Sequence, residues 1–275
     1  MAVHDQLTIV SVYGHNNGAS AIPSIIKSME ELPGSRGLLL SLEKPPNLPK
    51  YIQWKKIHAI NYLQYSVFMM HCLQAFIKTD YCLIVQNDGW VLNGKNFKDE
   101  YYNYDYIGAP SHCAFQFGDT NEARLFLHFS WVGEKDVRVV QNGGFSLRSK
   151  RFLQACNKHG IVHFNSNEIH GWNEDAQLSS ILRPTLQSLG YKYAPDHIAK
   201  LFSMEYMGKG FHEDDFDFSQ LLGHHAQTRK LTGDMHVVVD RDITNAYGEI
   251  EFMDYLQDNG YTVEYVYAAP GEVRA

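Results

Sequence analysis

Three compact apolar runs, separated by two stretches of helical spacing, fill the first ninety residues and limit the fold more than any other feature of the chain. Residues 7–13, LTIVSVY, read as a β-strand closed by Gly14, His15 and Asn16. Positions 20–31 have helical spacing, and RGLLLSL (36–42) is a second buried strand, followed by a proline-rich surface loop, EKPPNLPKY (43–51). Over 58–78 the apolar residues Ile60, Leu63, Val67, Met70, Leu73, Phe76 and Ile77 predict a long helix, closed by Thr79 and Asp80. YCLIVQ (81–86) is then the third strand. This β-α-β-α-β order implies a parallel, doubly wound sheet, and so an α/β fold.

The remainder is less regular. YYNYDYIGAP (101–110) reads as a loop or short strand, and 111–137 as irregular and polar-aromatic. VRVVQNGGFSLRSKRFLQAC (137–156) gives a strand, a double-glycine turn and a helix. IHGWNEDAQLSSILRPTLQSLG (169–190) begins as a loop and becomes helical at its acidic pair; YKYAP (191–195) is a short strand and LLGHHAQTRKL (221–231) a polar loop. MHVVVD, ITNAYGEIEFMDYLQDNG and YTVEYVYA then alternate strand, helix and strand. With no repeat or linker, the expectation is one domain over 1–231 and a small α/β tail over 232–275 packed on it.

Composition removes several function classes. A net charge of −7 gives a nucleic-acid partner no electrostatic support, and no dense Lys/Arg run favours a membrane surface. The longest apolar stretch, residues 60–77, is interrupted by Asn61, Gln64, His71 and Gln74, which a lipid-spanning helix would have to bury. The start lacks the apolar core of a signal peptide, and Cys72, Cys82, Cys113 and Cys156 form no CxxC pair. The expectation is a cytoplasmic protein with reduced thiols. Aromatic residues reach 13%, which suits a large core and also a cleft for flat ligands.

Polar residues gather where elements end. The third strand closes in Gln86-Asn87-Asp88-Gly89. This is good turn chemistry, and it also places a carboxylate at the ligand-binding edge of an open α/β sheet. Asn142-Gly143-Gly144-Phe145 suits a turn, or a backbone that lets a ligand approach closely. Asn173-Glu174-Asp175 suits a helix start, or a general base. Of the adjacent His224 and His225, at most one can face a given ligand. No GxGxxG or P-loop is present.

Taken in order, YCLIVQNDGWVLN, YDYIGAP, QNGGFSLRSKRFL, NEDAQLSSILRPTLQSLGYKYAP, AKLFSME and LLGHHA resemble a family of bacterial glycosyltransferase-like proteins, catalogued mainly as a domain of unknown function and related to GT-A sugar-nucleotide transferases. The resemblance spans residues 60 to 230 or so. It implies a GT-A-like fold, a Rossmann-type, mostly parallel mixed sheet flanked by helices. It also implies transfer of a sugar from a nucleotide-sugar donor, a UDP-sugar foremost, to a glycan acceptor hydroxyl, in surface polysaccharide assembly at the inner face of the membrane.

Carried over position by position, Asp88 stands for the retained acid of the D-x-D metal motif, with Gln86 where its first acid would be. His225 would complete a Mn²⁺ or Mg²⁺ site. Val12, Tyr13, Gly14, Gln86, Asn87, Gly143, Gly144 and Phe145 would line the donor. Asp175 would be the base of an inverting displacement, with Glu174 binding sugar hydroxyls. The replacement of the first acid by Gln86 leaves a non-catalytic sugar-nucleotide or carbohydrate binder as one alternative. A metal-dependent phosphoesterase is the other.

Overall fold

The computed structural model of the chain describes residues 3–117, 123–163, 171–213, 215–240 and 249–267. The parts of the expected elements at 118–122, 169–170, 243–248 and Ala268 lie outside the described residues.

The β-α-β-α-β reading is met, with one strand more. β1 (Leu7–Tyr13) lies between β2 (Arg36–Ser41) and β4 (Tyr81–Ile84), parallel to both, and β3 (Ile52–Lys56) extends the sheet beyond β2. Residues 43–51 gave no sign of β3, whose exposed Lys55 and Lys56 make it a polar edge strand. The seven-stranded sheet has the order β3-β2-β1-β4-β8-β6-β7, with β6 at Tyr106–Phe117, β7 at Ala123–Phe126 and β8 at Val137–Ser149. β8 is antiparallel to both β4 and β6, and β7 to β6, so five of the seven strands run one way. β6 and β7 occupy part of the stretch 111–137 expected to be irregular, and 127–136 is irregular as expected.

Side-chain alternation sends Leu7 and Ile9 to one face of the sheet and Val10 and Val12 to the other. The first face packs against α1 (Ile22–Glu31) through Ile25, and against Ile198 and Phe202 of a helix at 196–202. The second face packs against α2 (Tyr62–His71) through Met69. That helix is shorter than the apolar spacing implied. The Asn61 side chain accepts from Gln64 N–H, and Gln64 returns a bond to Asn61 N–H, which starts the helix at Tyr62. It faces inward through Ser66, Met69 and Met70, leaving the expected core positions Leu63 and Val67 exposed.

The other helices are short: α3 (Lys150–Leu153), α4 (Ala155–His159), α5 (Glu174–Ala176), which runs into a π-turn over Gln177–Ile181, α6 (Arg183–Ser188) and α7 (Asp196–Phe202). A three-stranded sheet joins β5 (Gly89–Val91), β10 (Gly223–His225) and β9 (Ser203–Met204), so the GHH segment is a strand and not a loop. A third sheet joins β11 (Arg229–Gly233), β12 (His236–Asp240) and β13 (Thr262–Val266), with α8 (Glu249–Asp258) between the last two. Its core takes in Trp90, Met204 and Leu221 from outside the tail, so the tail shares a core with the segments that carry the site. Among the described residues no helix is long and apolar enough to cross a membrane.

Candidate active site

The register of β4 against β8 decides what meets what. Ile84 lies opposite Ser146 in an antiparallel pair, so the chain leaving β4 toward Asp88 runs beside residues 145–142 of β8. Along the other side of β8, the pairing with β6 jumps from Gly108↔Ser146 to Ala109↔Asn142. Gly143, Gly144 and Phe145 are therefore left without partners on β6. The glycine pair is a bulge within one continuous strand, in place of the turn its sequence suggested. It lies at the edge where β1 and β4 end.

The two glycines face two different clusters. A Cβ on Gly144 would stand 2.2 Å from His225 Nε2 and 2.8 Å from Gln86 Oε1; one on Gly143 would stand 2.4 Å from Glu174 Oε1 and 2.8 Å from Arg148 Nη2. No side chain fits at either position without displacing one of these groups.

In the first cluster, Gln86 N–H₂ donates to the Tyr65 hydroxyl at 3.0 Å, which turns its amide oxygen toward His225 Nε2 at 3.2 Å. His225 Nε2 also lies 3.3 Å from Asp88 Oδ1, as an ion pair when the imidazole is protonated. Burial alone would raise the Asp88 carboxyl, but His225 holds it below its ordinary value. In return Asp88 lifts His225 above its own, against burial. Among the described residues Asp88 Oδ1 has no well-aligned hydrogen bond and His225 Nδ1 has no partner. The turn is also real: Gly89 N–H donates to Gln86 O, Asn87 N–H to the Tyr13 hydroxyl, and Asp88 O accepts from Ala226 N–H. The turn reading of the Gln-Asn-Asp-Gly segment is met, and its carboxylate stands beyond the carboxyl end of β4.

Strand alternation in β10 separates the two histidines. His225 enters this cluster, and His224 packs edge-on to Trp90 at 4.0 Å in the tail core.

The second cluster is acidic. Asp175 Oδ2 accepts from Gly143 N–H at 3.2 Å and Oδ1 from Ala176 N–H at 2.7 Å. Burial, with the adjacent Glu174 charge, outweighs these bonds and pushes Asp175 up to about 7. Glu174 differs from its expected role. Its Oε1 accepts from Arg148 Nη2 at 2.8 Å, both side chains are buried, and the ring of Tyr106 lies 5.1 Å from the guanidinium. One oxygen of this carboxylate is thus held by a buried arginine as part of the wall.

Three expected donor residues are likewise structural. Phe145 is fully buried, packed on Phe202 at 5.3 Å and seated over Gly223, where a Cβ would come within 2.2 Å of its ring. Val12 is a core residue of the face covered by α2. Gly14 gives its space to Ile60, whose Cγ1 would lie 1.9 Å from any Cβ there, and its carbonyl accepts from Ile60 N–H. Tyr13 keeps a place at the site through its hydroxyl on Asn87.

One residue escaped the sequence reading. Glu205, directly after β9, accepts from Asn142 Nδ2 at 2.9 Å, and Asn142 Oδ1 accepts from Gly144 N–H at 2.6 Å. In SMEYM it is the only charged residue, outside the four polar clusters at element ends.

Among the described residues no group of three or more His, Cys, Asp or Glu side chains forms a metal site. What the first cluster offers is one carboxylate, one imidazole and one amide oxygen converging. That set fits a divalent ion whose other positions come from phosphate and water, and the imidazole favours Mn²⁺ over Mg²⁺.

The family model described as "Protein of unknown function (DUF5672)" matches residues 50–219. No curated protein matches the chain. Among solved structures, the galactosyltransferase LgtC in complex with donor and acceptor sugar analogs is 14% identical, over 91% of this chain and 95% of that one, with a TM-score of 0.41. The apo-form glycosyltransferase GlyE of Streptococcus pneumoniae TIGR4 is 14% identical over 69% of this chain and 45% of that one, with a TM-score of 0.35.

Proposed function

The chain belongs to that family of unknown function; membership brings no activity with it, and we propose one from the site: a glycosyltransferase that moves a sugar from a nucleotide-sugar donor to an acceptor hydroxyl. The observation that carries this reading is the convergence of four distant segments on one strand edge. Gln86, Asp88 and His225 lie on one side of the Gly143-Gly144 bulge, and Asp175 lies on the other.

Gln86, Asp88 and His225 would hold the divalent ion. When bound, it would supply positive charge to the diphosphate leaving group. Asp175 is the general base. Its carboxyl titrates near neutrality, the range in which a base is both deprotonated and able to accept a proton. It takes the proton of the acceptor hydroxyl, whose oxygen forms a bond to the anomeric carbon. The bond from that carbon to the diphosphate oxygen breaks, and its electron pair leaves with the nucleoside diphosphate. With Glu174 committed to Arg148, Asp175 has no second free carboxylate of the NED segment beside it, which supports a single inverting displacement.

The finer terms come from the sequence resemblance: a UDP-sugar donor, a glycan acceptor, and work on surface polysaccharide at the cytosolic membrane face. A panel of nucleotide sugars, each with and without MnCl₂, tests the reading by thermal shift. A donor at a hundred times its Kd stabilises the native state by about 2.7 kcal/mol. We expect one nucleotide class to raise the melting temperature only with Mn²⁺, and Asp88→Ala to lose that rise. No rise with any nucleotide, or an equal rise in Asp88→Ala, would sink the donor site as drawn. Binding without transfer would leave the non-catalytic alternative.

A further inference from the structure

Glu205 is a buried acid that the displacement just described does not use. In the three-stranded sheet, β10 lies between β5 and β9, with Met204 opposite His224 and Gly89 opposite His225. Glu205 follows β9 directly, and the charges of both Asp88 and Glu205 act on His225. The Glu205 side chain is only 7% exposed. Two bonds pin it: Asn142 Nδ2 donates to Oε1, and Arg229 Nη2, itself held through Nη1 by Glu249 at 2.9 Å, donates to its main-chain oxygen at 2.8 Å. Its other carboxylate oxygen, Oε2, is buried and has no partner among the described residues.

A fixed carboxylate with one oxygen unpaired is unfavourable unless something else donates to it. The surroundings select the donor. Asp88 and Asp175 lie on either side of the bulge, and both His225 and Asp175 feel the Glu205 charge, so an anionic group set directly on Glu205 Oε2 would be repelled. A neutral hydroxyl gives a hydrogen bond without adding charge. Through Asn142, which holds Gly144 N–H, Glu205 is also tied to the bulge that separates the two clusters.

We propose that Glu205 Oε2 binds a hydroxyl of the sugar being transferred, which makes Glu205 a donor-specificity residue. This rests on the transferase reading above. A site built to bond a hydroxyl discriminates against the analogue that lacks it, because its own polar group is then left buried and unpaired.

The test measures Kd by calorimetry, with Mn²⁺, for UDP, UDP-glucose and UDP-galactose on wild type and Glu205→Gln. For the hexose that wild type binds better than UDP, Glu205→Gln should weaken binding by tenfold to a hundredfold, with the Kd for UDP unchanged within twofold. A parallel loss for UDP and UDP-hexose, or no loss for either, overturns the assignment. Should Glu205→Gln fail to fold, the 2-, 3-, 4- and 6-deoxy forms of that UDP-hexose on wild type replace it. One of them should lose tenfold or more, and equal binding of all four overturns the proposal. If wild type binds UDP but no hexose better than UDP, Glu205 has no such role and the nucleotide site stands. If it binds neither, the nucleotide class selected by the thermal-shift panel replaces uridine in the same comparison; if no nucleotide of that panel binds, the donor site falls and this assignment with it.

Discussion

Replacing Glu174 by glutamine separates a wall residue from a ligand-binding one. Arg148 is fully buried, and its contacts are Glu174 Oε1 at 2.8 Å, Ser146 Oγ at 3.1 Å and the Tyr106 ring; Nη1 has no partner. Glu174→Gln keeps the shape and removes the only carboxylate paired with that guanidinium among the described residues. Breaking a buried pair in this way costs about 3–5 kcal/mol, because the surviving charge stays buried. For a chain of this size 1 kcal/mol moves the melting temperature by about 2–4 °C, so the loss should be roughly 6–20 °C. Thermal unfolding followed by circular dichroism at pH 7.5 measures it. The double variant Arg148→Met/Glu174→Leu should recover most of the loss, since apolar replacements of a buried pair are often neutral or better. Suppose instead that Glu174→Gln melts within 2 °C or so of wild type and loses donor binding. Glu174 would then face the ligand, and the wall role would be refuted.

Asp175→Asn should lower transfer by about 10²–10⁴-fold, and wild-type activity should rise with pH through about 7 as the carboxyl loses its proton; a flat profile from pH 6 to 8 would remove Asp175 as the base. The same group makes a stability prediction of definite sign. Its folded pKa lies above 3.8, so the folded chain binds the extra proton and loses stability as pH climbs from about 4 to 7; Asp175→Asn should melt above wild type at pH 8, with the gap closing toward pH 4.5. Gly144→Ala puts a methyl 2.2 Å from His225 Nε2 and should cost about 1–3 kcal/mol by overpacking, together with the Mn²⁺-dependent thermal shift; an unchanged shift would mean His225 can move away freely. Glu249→Gln uncovers the buried Arg229 and should destabilise by about 3–5 kcal/mol in urea unfolding, while a loss under about 1 kcal/mol would show the tail to be loosely attached.

The parts of this molecule that sequence made legible are those whose causes are local. β1, β2, β4 and α1 follow from runs of apolar residues and their spacing, and the Gln-Asn-Asp-Gly tip from turn chemistry within four residues. The misreadings share a different cause. Two adjacent glycines look like a turn, and only the register jump on β6, set by residues some 35 positions away, makes Gly143-Gly144 a bulge in a thirteen-residue strand. Phe145, two residues from Leu147, shares its side of the strand and joins the same core, so a residue expected at the ligand is in the core.

Glu174 and Glu205 carry the point further. Each is a glutamate at an element's end, and nothing within several residues tells them apart. Glu174 Oε1 meets a buried guanidinium, Arg148, 26 residues earlier, and becomes wall; Glu205 Oε1 meets a neutral amide, Asn142, 63 residues earlier, and its Oε2 is buried without a partner among the described residues. Cluster positions could be read because turns and strand ends are punctuated locally. Roles could not, because a carboxylate's role is fixed by which long-range partner takes its oxygens.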